Sequence, residues 1–342
     1  MKPKHLFPAL VLTALLHFTA SAKDWLAFEG KEGIGSGQHI VFVTGEEFYR
    51  SEEGMPMFAK ILSQRFGYDC TVLFSLDPEL GTINPNINHN IPGLHLLKDA
   101  DLLFIFARFR ELPDKDMKHI ADYINAGKPV IGIRNATHAF RYTKNKDSAY
   151  VSWDWKSQSW PGGFGQQILG DTWVKHYGKF QKEATRARTT EVQRSHPVLQ
   201  GVSPEFFIHT DVNSVLRLKP QNTVLLTGQV LSGPNPDSPP VTDERKYTRM
   251  PLAWFKEYTA PSGKTGQTFC TTAGASVDWL SEDLRRVLVN AVFQLTGHSD
   301  KIPCKTNVDF IGEYKPGPFR NYTNEEWAKK ALKPADFGLS TQ

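Results

Sequence analysis

Apolar and polar positions alternate along this chain in blocks of two kinds. His39 to Thr44, Asp69 to Phe74, Asp101 to Phe106 and Pro129 to Ile133 each carry a nearly unbroken apolar run. Such runs predict strands buried on both faces, as in a parallel sheet. Between them, Ser51 to Phe66 and Pro113 to Ala126 carry apolar residues at helical spacing, closed by Gly67 and Gly127. Ser51 is the expected N-cap of the first helix, and each glycine supplies the left-handed stop. Strands alternating with helices imply right-handed βαβ units and an α/β, doubly wound, mostly parallel sheet.

Beyond residue 140 the pattern loosens. Arg141 to Tyr177 is rich in Trp, Gly, Ser and Lys without clear period, and is expected to fold over the preceding strand end. Its tryptophans suit either local core or a stacking surface for sugar rings. Phe206 to Asp211 follows the His196-Pro197 turn, Thr223 to Thr227 predicts another strand, and Gly233 to Pro240 is a Pro-rich loop. Pro251 to Tyr258 and Gly266 to Gly274 predict a hairpin, and Glu282 to Thr296 an amphipathic helix ending at Gly297. The expected organisation is a leader over residues 1–22, an extension over 23–38, one domain with insertions over 39–298, and an extended tail over 299–342.

In a doubly wound sheet, ligands bind beyond the carboxyl ends of the strands. Those ends read Thr44-Gly45-Glu46-Glu47, Ala107-Arg108-Phe109-Arg110 and Arg134-Asn135-Ala136-Thr137-His138. Arg134 is always protonated, so it can bind or polarise but cannot act as a nucleophile. His138 is a candidate general acid/base, with Glu46 or Glu47 as its carboxylate partner, and Arg134 and Arg108 as oxyanion or hydroxyl binders. Arg134 paired to a carboxylate, and Glu46, Glu47, Arg108 and Arg110 forming a rim network of ion pairs, are the competing structural readings. Thr44, Glu46, Arg108, Arg110, Asn135, Thr137, His176, His209 and Gly274 complete the candidate binding residues. His176, His196 and His209 could join His138 around a divalent metal, although no pair has metal-ligand spacing; His196 suits a turn cap.

The net charge of +4 is spread along the chain, and its Lys/Arg-rich segments also carry acids, which argues against nucleic-acid binding. Lys2 and Lys4 precede the apolar run Leu6 to Phe18 and Ala20-Ser21-Ala22, the pattern of a cleaved secretory signal. A soluble periplasmic or extracellular protein beginning near Lys23 is therefore expected, without membrane insertion. Cys70, Cys270 and Cys304 allow at most one bridge, and the first two suit buried thiols. No Gly-x-Ser-x-Gly and no Gly-x-Gly-x-x-Gly fingerprint occurs, so hydride transfer would have to come from a partner enzyme.

The segment Gly132-Ile-Arg-Asn-Ala-Thr-His-Ala-Phe140, the His196-Pro197 turn, the 251–274 hairpin, the 279–297 helix and the tail Asn307 to Pro316 occur in an order that resembles the ThuA-like, or trehalose-utilisation, family. The resemblance spans His39 to Gly297. It implies a flavodoxin-like, class I glutamine amidotransferase-like fold and a role with trehalose or related, including 3-keto, disaccharides. In that superfamily a Cys stands on the strand-to-helix elbow, whereas Arg134 stands there in this chain. Other members of the family carry Gly-x-His-Ser-Ala at this turn, so an enzyme and a non-catalytic carbohydrate-binding or partner-binding protein both remain open.

Overall fold

The computed structural model describes residues 24–243 and 248–339. The expected leader and its cleavage after Ala22 lie outside the described residues. Ten strands form one sheet: β1 (Trp25–Phe28), β2 (His39–Gly45), β3 (Asp69–Leu73), β4 (Leu102–Ala107), β5 (Val130–Ile133), β6 (Thr185–Thr189), β7 (Glu205–Ile208), β8 (Thr223–Val230), β9 (Met250–Thr259) and β10 (Thr265–Thr271). Their spatial order is β1-β3-β2-β4-β5-β10-β9-β8-β6-β7. The segment β3-β2-β4-β5-β10 is parallel, and β1 and the β9-β8-β6-β7 wing pair antiparallel to their neighbours.

Each parallel strand is apolar on both faces because helices cover both. Phe42, Phe104, Ile131 and Phe269 point toward α1 (Ser51–Phe66) and α3 (Glu282–Leu295). Val41, Val43, Leu103, Ile105 and Val130 point the other way, toward α2 (Asp114–Asn125) and the 153–169 segment. Alternation by two along a strand therefore feeds two separate cores.

α1 has the expected bounds, but its cap differs. Arg50 occupies the cap position in the left-handed region, and the Ser51 hydroxyl instead accepts from the backbone N–H of Gly45 and Glu46. Ser51 thus ties the strand end to the helix start. Gly67 closes α1 in the left-handed conformation at φ 80°, as expected.

Three strands were not expected, β7 among them. β1 lies in the Gly-rich extension and pairs with β3, and β6 uses the alternating Thr-Arg-Ala-Arg-Thr segment at the antiparallel wing. The tail is also not simply extended. It contains α4 (Asn324–Lys330), whose Trp327 is fully buried. The Arg50 guanidinium is held between the rings of Tyr322 and Trp327, 4.3 and 4.8 Å from their centroids. Gly317 N–H donates to Glu53 Oε2 at 2.7 Å. The tail therefore clamps the turn that leads from β2 into α1.

All three cysteines are free thiols: Cys70 and Cys270 buried, Cys304 exposed. No helix among the described residues is long and apolar enough to cross a membrane.

Candidate functional site

The sheet order places β2 between β3 and β4, so the chain reverses direction across the sheet at the β2/β4 boundary. At such a switch point the loops leaving neighbouring strands diverge and open a crevice. Five non-glycine residues among those described have positive φ, and three of them, Arg50 (61°), Phe109 (53°) and Arg134 (45°), follow the carboxyl ends of β2, β4 and β5. Strain of this kind costs of order 1–3 kcal/mol per residue and persists where surrounding contacts enforce it.

The loops after β2 and β4 meet in the crevice. Arg108 Nε and Nη2 donate to Glu47 Oε1 at 2.8 and 2.5 Å, and both side chains keep some exposure, 23% and 17%. Glu46, directly beside them, is sealed: its carboxylate accepts from the N–H groups of Phe48 and Tyr49 and from Asn135 Nδ2 at 2.9 Å. Burial and the Glu47 charge push its pKa up, against Arg108 and these donors. Neither glutamate is hydrogen-bonded to His138, which corrects the expectation that one of them orients it. Glu46 fixes the β2–α1 loop to the elbow, and Glu47 balances Arg108.

Arg110 is also turned inward. Its guanidinium donates to Ile87 O, Pro85 O and Ser75 Oγ at 2.8, 2.9 and 3.1 Å, pinning the 75–87 loop. Burial lowers its pKa to about 10, against the pull of Glu47 and Glu46, so it remains charged at neutral pH. Thr44 spends its hydroxyl on Leu73 O. Both are architectural contacts rather than crevice-facing ones.

The elbow after β5 has the sharp strand-to-turn geometry expected, with Arg134 at its strained tip and no nucleophile there. Arg134 is fully buried. It donates to Thr210 Oγ1, Thr272 O and Asp211 at 2.9, 2.8 and 3.3 Å, and its guanidinium lies 4.0 Å from the Tyr49 ring centroid. Burial opposes its charge, but Tyr49, Asp211 and Asp278 outweigh it and hold its pKa above the usual value. A guanidinium so enclosed cannot reach a ligand, and the competing reading, an Arg paired to a carboxylate, is the arrangement found. Gly274 contributes backbone: its N–H donates to Asp278 Oδ2, and at φ 131° an added Cβ would sit 2.4 Å from Ile133 Cγ2.

Asp211 faces two ways. One oxygen meets Arg134, and the other accepts from His176 Nδ1 at 2.7 Å. A carboxylate oxygen can only accept, so Nδ1 is the donor in this bond and Nε2 is the ring nitrogen not engaged by Asp211. His176 is 31% exposed and lines a cavity of about 930 Å³ together with Lys175, Tyr177, Ser214 and Met250. The carboxylate–imidazole pair expected at His138 is thus formed by His176 and Asp211. Asp211 was not among the expected site residues; its position in the polar run just after Phe206 to Ile208 was the available signal.

His138 is 3% exposed, between the rings of Phe109, Trp155 and Trp173 at 5.2, 6.1 and 5.2 Å, with Thr137 Oγ1 3.4 Å from its Nδ1. Burial, followed by the charges of Arg108, His176 and Arg134, lowers its pKa well below 6.5, so it is neutral at physiological pH. Trp173 also contacts His176, at 6.0 Å, and so connects the two imidazoles. The tryptophans divide: Trp153 packs with Phe140, Phe164 and Trp160 in the core, whereas Trp155 and Trp173 wall the crevice.

His196 caps its turn, accepting from Val198 N–H at 3.2 Å, and His209 meets the Phe207 ring edge-on. No group of three or more His, Cys, Asp or Glu side chains among the described residues converges as a metal centre would require. The proposed gathering of His138, His176, His196 and His209 does not occur, and no metal-dependent step follows from this donor set.

A family model described as ThuA, trehalose utilisation, matches residues 88–293, more than half of the chain. That family has the class I glutamine amidotransferase-like fold, in agreement with the sheet described above. No curated protein matches. Among solved structures, a ThuA-like protein from Parabacteroides merdae is similar at 14% identity, covering 86% of this chain and 99% of that one, with a TM-score of 0.46. A ThuA-like protein from Bacteroides uniformis is similar at 12% identity, covering 78% and 93%, with a TM-score of 0.45. The glutaminase domain of a Trypanosoma brucei CTPS is similar at 12% identity, covering 79% and 98%, with a TM-score of 0.33.

Proposed function

The chain belongs to the ThuA, or trehalose-utilisation, family, and from that premise we propose that it is a secreted protein that acts on trehalose-type or 3-keto disaccharides at the carboxyl edge of its sheet. The observation that supports this reading best is the Asp211–His176 pair at 2.7 Å, opening on a cavity, with the Trp173 ring 6.0 Å from His176 and 5.2 Å from His138.

His176 has the arrangement of a general acid/base. Asp211 orients its ring, and buried Arg134 holds Asp211 in turn. A sugar packed on Trp155 and Trp173 would present its hydroxyls, or a carbon next to a keto group, between His176 and the neutral imidazole of His138. A neutral His138 can donate or accept a hydrogen bond without adding a positive charge to the site. Arg108, at the crevice mouth with Glu47, is placed to bind hydroxyl or carbonyl oxygens. The elbow lacks the amidotransferase thiol, so acyl transfer through a covalent enzyme intermediate at that position is not part of this reading. Any hydride transfer belongs to a partner sugar oxidoreductase.

Calorimetric titration with trehalose-type disaccharides and their 3-keto forms, paired with a turnover assay, tests the reading. His176→Asn is expected to retain binding and lose turnover by a factor of about 10²–10⁴, the usual contribution of a general acid/base. Turnover unchanged in His176→Asn would remove the catalytic assignment, and absence of binding by every disaccharide would sink the reading. The fully enclosed Arg134 favours a second reading, a binding protein without turnover. Sugar binding by the unaltered chain with no product formed would select it.

A further inference from the structure

Two neighbouring cavities continue from the aromatic walls of His138. The first, about 590 Å³, is lined by Trp155 and Trp173 together with Gln158 and Arg217. The second, about 420 Å³, is lined by Arg217, Lys219, Lys256 and Asn222. Gln166 and Arg217 belong to both, so the two join into one groove leading away from the imidazole.

The charges along this groove do not balance. Lys156, Arg217, Lys219 and Lys256 line it, against Glu257, with Asp171 behind Arg217. Asp171 is buried and already engaged: its Oδ2 accepts from the N–H groups of Leu216 and Arg217, and Arg217 Nη1 stands 3.9 Å from Oδ1. Lys156 Nζ lies 4.6 Å over the Trp155 ring, placing a cation beside the surface on which a sugar would stack. Lys256 Nζ donates to the carbonyls of Gln167 and Glu257 at 2.7 and 3.2 Å, which leaves the ammonium's third N–H available. Burial and then the Lys219 charge bring the Lys256 ammonium down to about 8, against the pull of Glu257.

A neutral sugar needs amides and aromatic faces, which this groove supplies, but it gives no reason to crowd four cations around two acids, one of them buried behind Arg217. We propose that the groove from Trp155 and Trp173 to Lys219 and Lys256 receives a sugar residue bearing an anionic substituent, so that the substrates of this site are acidic glycosides. This rests on the disaccharide reading above. The substituent is a carboxylate or a phosphoryl or sulfuryl group; all share a negative charge with several acceptor oxygens. Cations in a walled groove also raise the rate of encounter with an anion, and salt weakens that attraction.

Calorimetric titrations of the intact protein with trehalose, trehalose 6-phosphate and a glucuronate-terminated disaccharide, at low and at about 0.3 M salt, test the proposal. At least one anionic sugar should bind about tenfold or more tightly than trehalose at low salt, with the advantage shrinking at high salt. The arm that binds tighter identifies the substituent. In Lys219→Gln/Lys256→Gln the advantage should vanish while trehalose affinity stays as it was. Equal binding of neutral and anionic sugars, or an advantage that survives the double substitution, overturns the proposal and leaves the disaccharide reading standing. If none of the three sugars binds, the proposal falls, and the disaccharide reading falls with it only when the 3-keto disaccharides also fail to bind.

Discussion

Arg134 and Arg108 leave the ends of neighbouring strands β5 and β4, and each is paired with a carboxylate, yet they do different work. Around Arg134 the guanidinium is closed off by Asp211, Thr210, Thr272 and Tyr49, with Asp278 bonded to Thr210 behind it. Around Arg108 the pair with Glu47 is left partly open at the switch point. The same ion-pair chemistry is architecture in the first case and a recognition surface in the second. Burial decides between them: an enclosed charge is held by fixed partners it cannot exchange, whereas an exposed one can exchange its partner for a ligand.

The strongest way to break this comparison is to delete the enclosed charge. Arg134→Ala leaves the buried Asp211 and Thr272 acceptors without their donor, and a loss of about 3–5 kcal/mol is expected in urea denaturation. A loss below about 1 kcal/mol would mean that the Arg134 cluster is no more structural than the Arg108 pair.

A second enclosed pair sharpens the point through pH. Arg50 Nη1 and Glu52 Oε1 are 3.2 Å apart, each 1% exposed, beneath the tail. Burial pushes Glu52 up to about 7, with Arg50 opposing. Between its ordinary value near 4.5 and about 7, the folded protein holds a proton that the unfolded chain releases. Stability from this group therefore falls as pH rises through that window and is constant above it. The shift corresponds to about 3 kcal/mol. Glu52→Gln should reduce the stability difference between pH 5 and pH 8 by about that amount; an unchanged pH profile would contradict it.

The smallest expected effect is at the open pair. Arg108→Gln should change stability by only about 1 kcal/mol or less, because the partners regain water, while weakening sugar binding measurably. A large loss of stability without any change in binding would place Arg108 with the enclosed group.

Much of the parallel half was legible in the sequence. α1 has the bounds that spacing and the Gly67 stop predicted, and β2, β4 and β5 fall within a residue or two of their apolar runs. β1, β6 and β7 escaped because a four- or five-residue strand takes its stability from the neighbour it pairs with and carries little periodicity of its own. α4 escaped for a related reason: seven residues do not form a stable helix alone, and Trp327 docking holds this one in place.

The candidate site was legible as a list of polar strand ends and not as a set of contacts. Sequence by itself determined the doubly wound sheet, the location of polar groups at its carboxyl edge, and an elbow carrying Arg134 instead of a nucleophile, because apolar period, turn residues and residue chemistry are local properties. Only the tertiary structure decided that Arg134, Arg110 and Glu46 turn inward, that Asp211 rather than a glutamate orients an imidazole, and that this imidazole is His176. These outcomes depend on which distant segments close over each strand end. Asp211 lies 77 residues beyond Arg134 in the chain, and that separation gives no local signal of a contact that sets burial, charge and hydrogen bonding together.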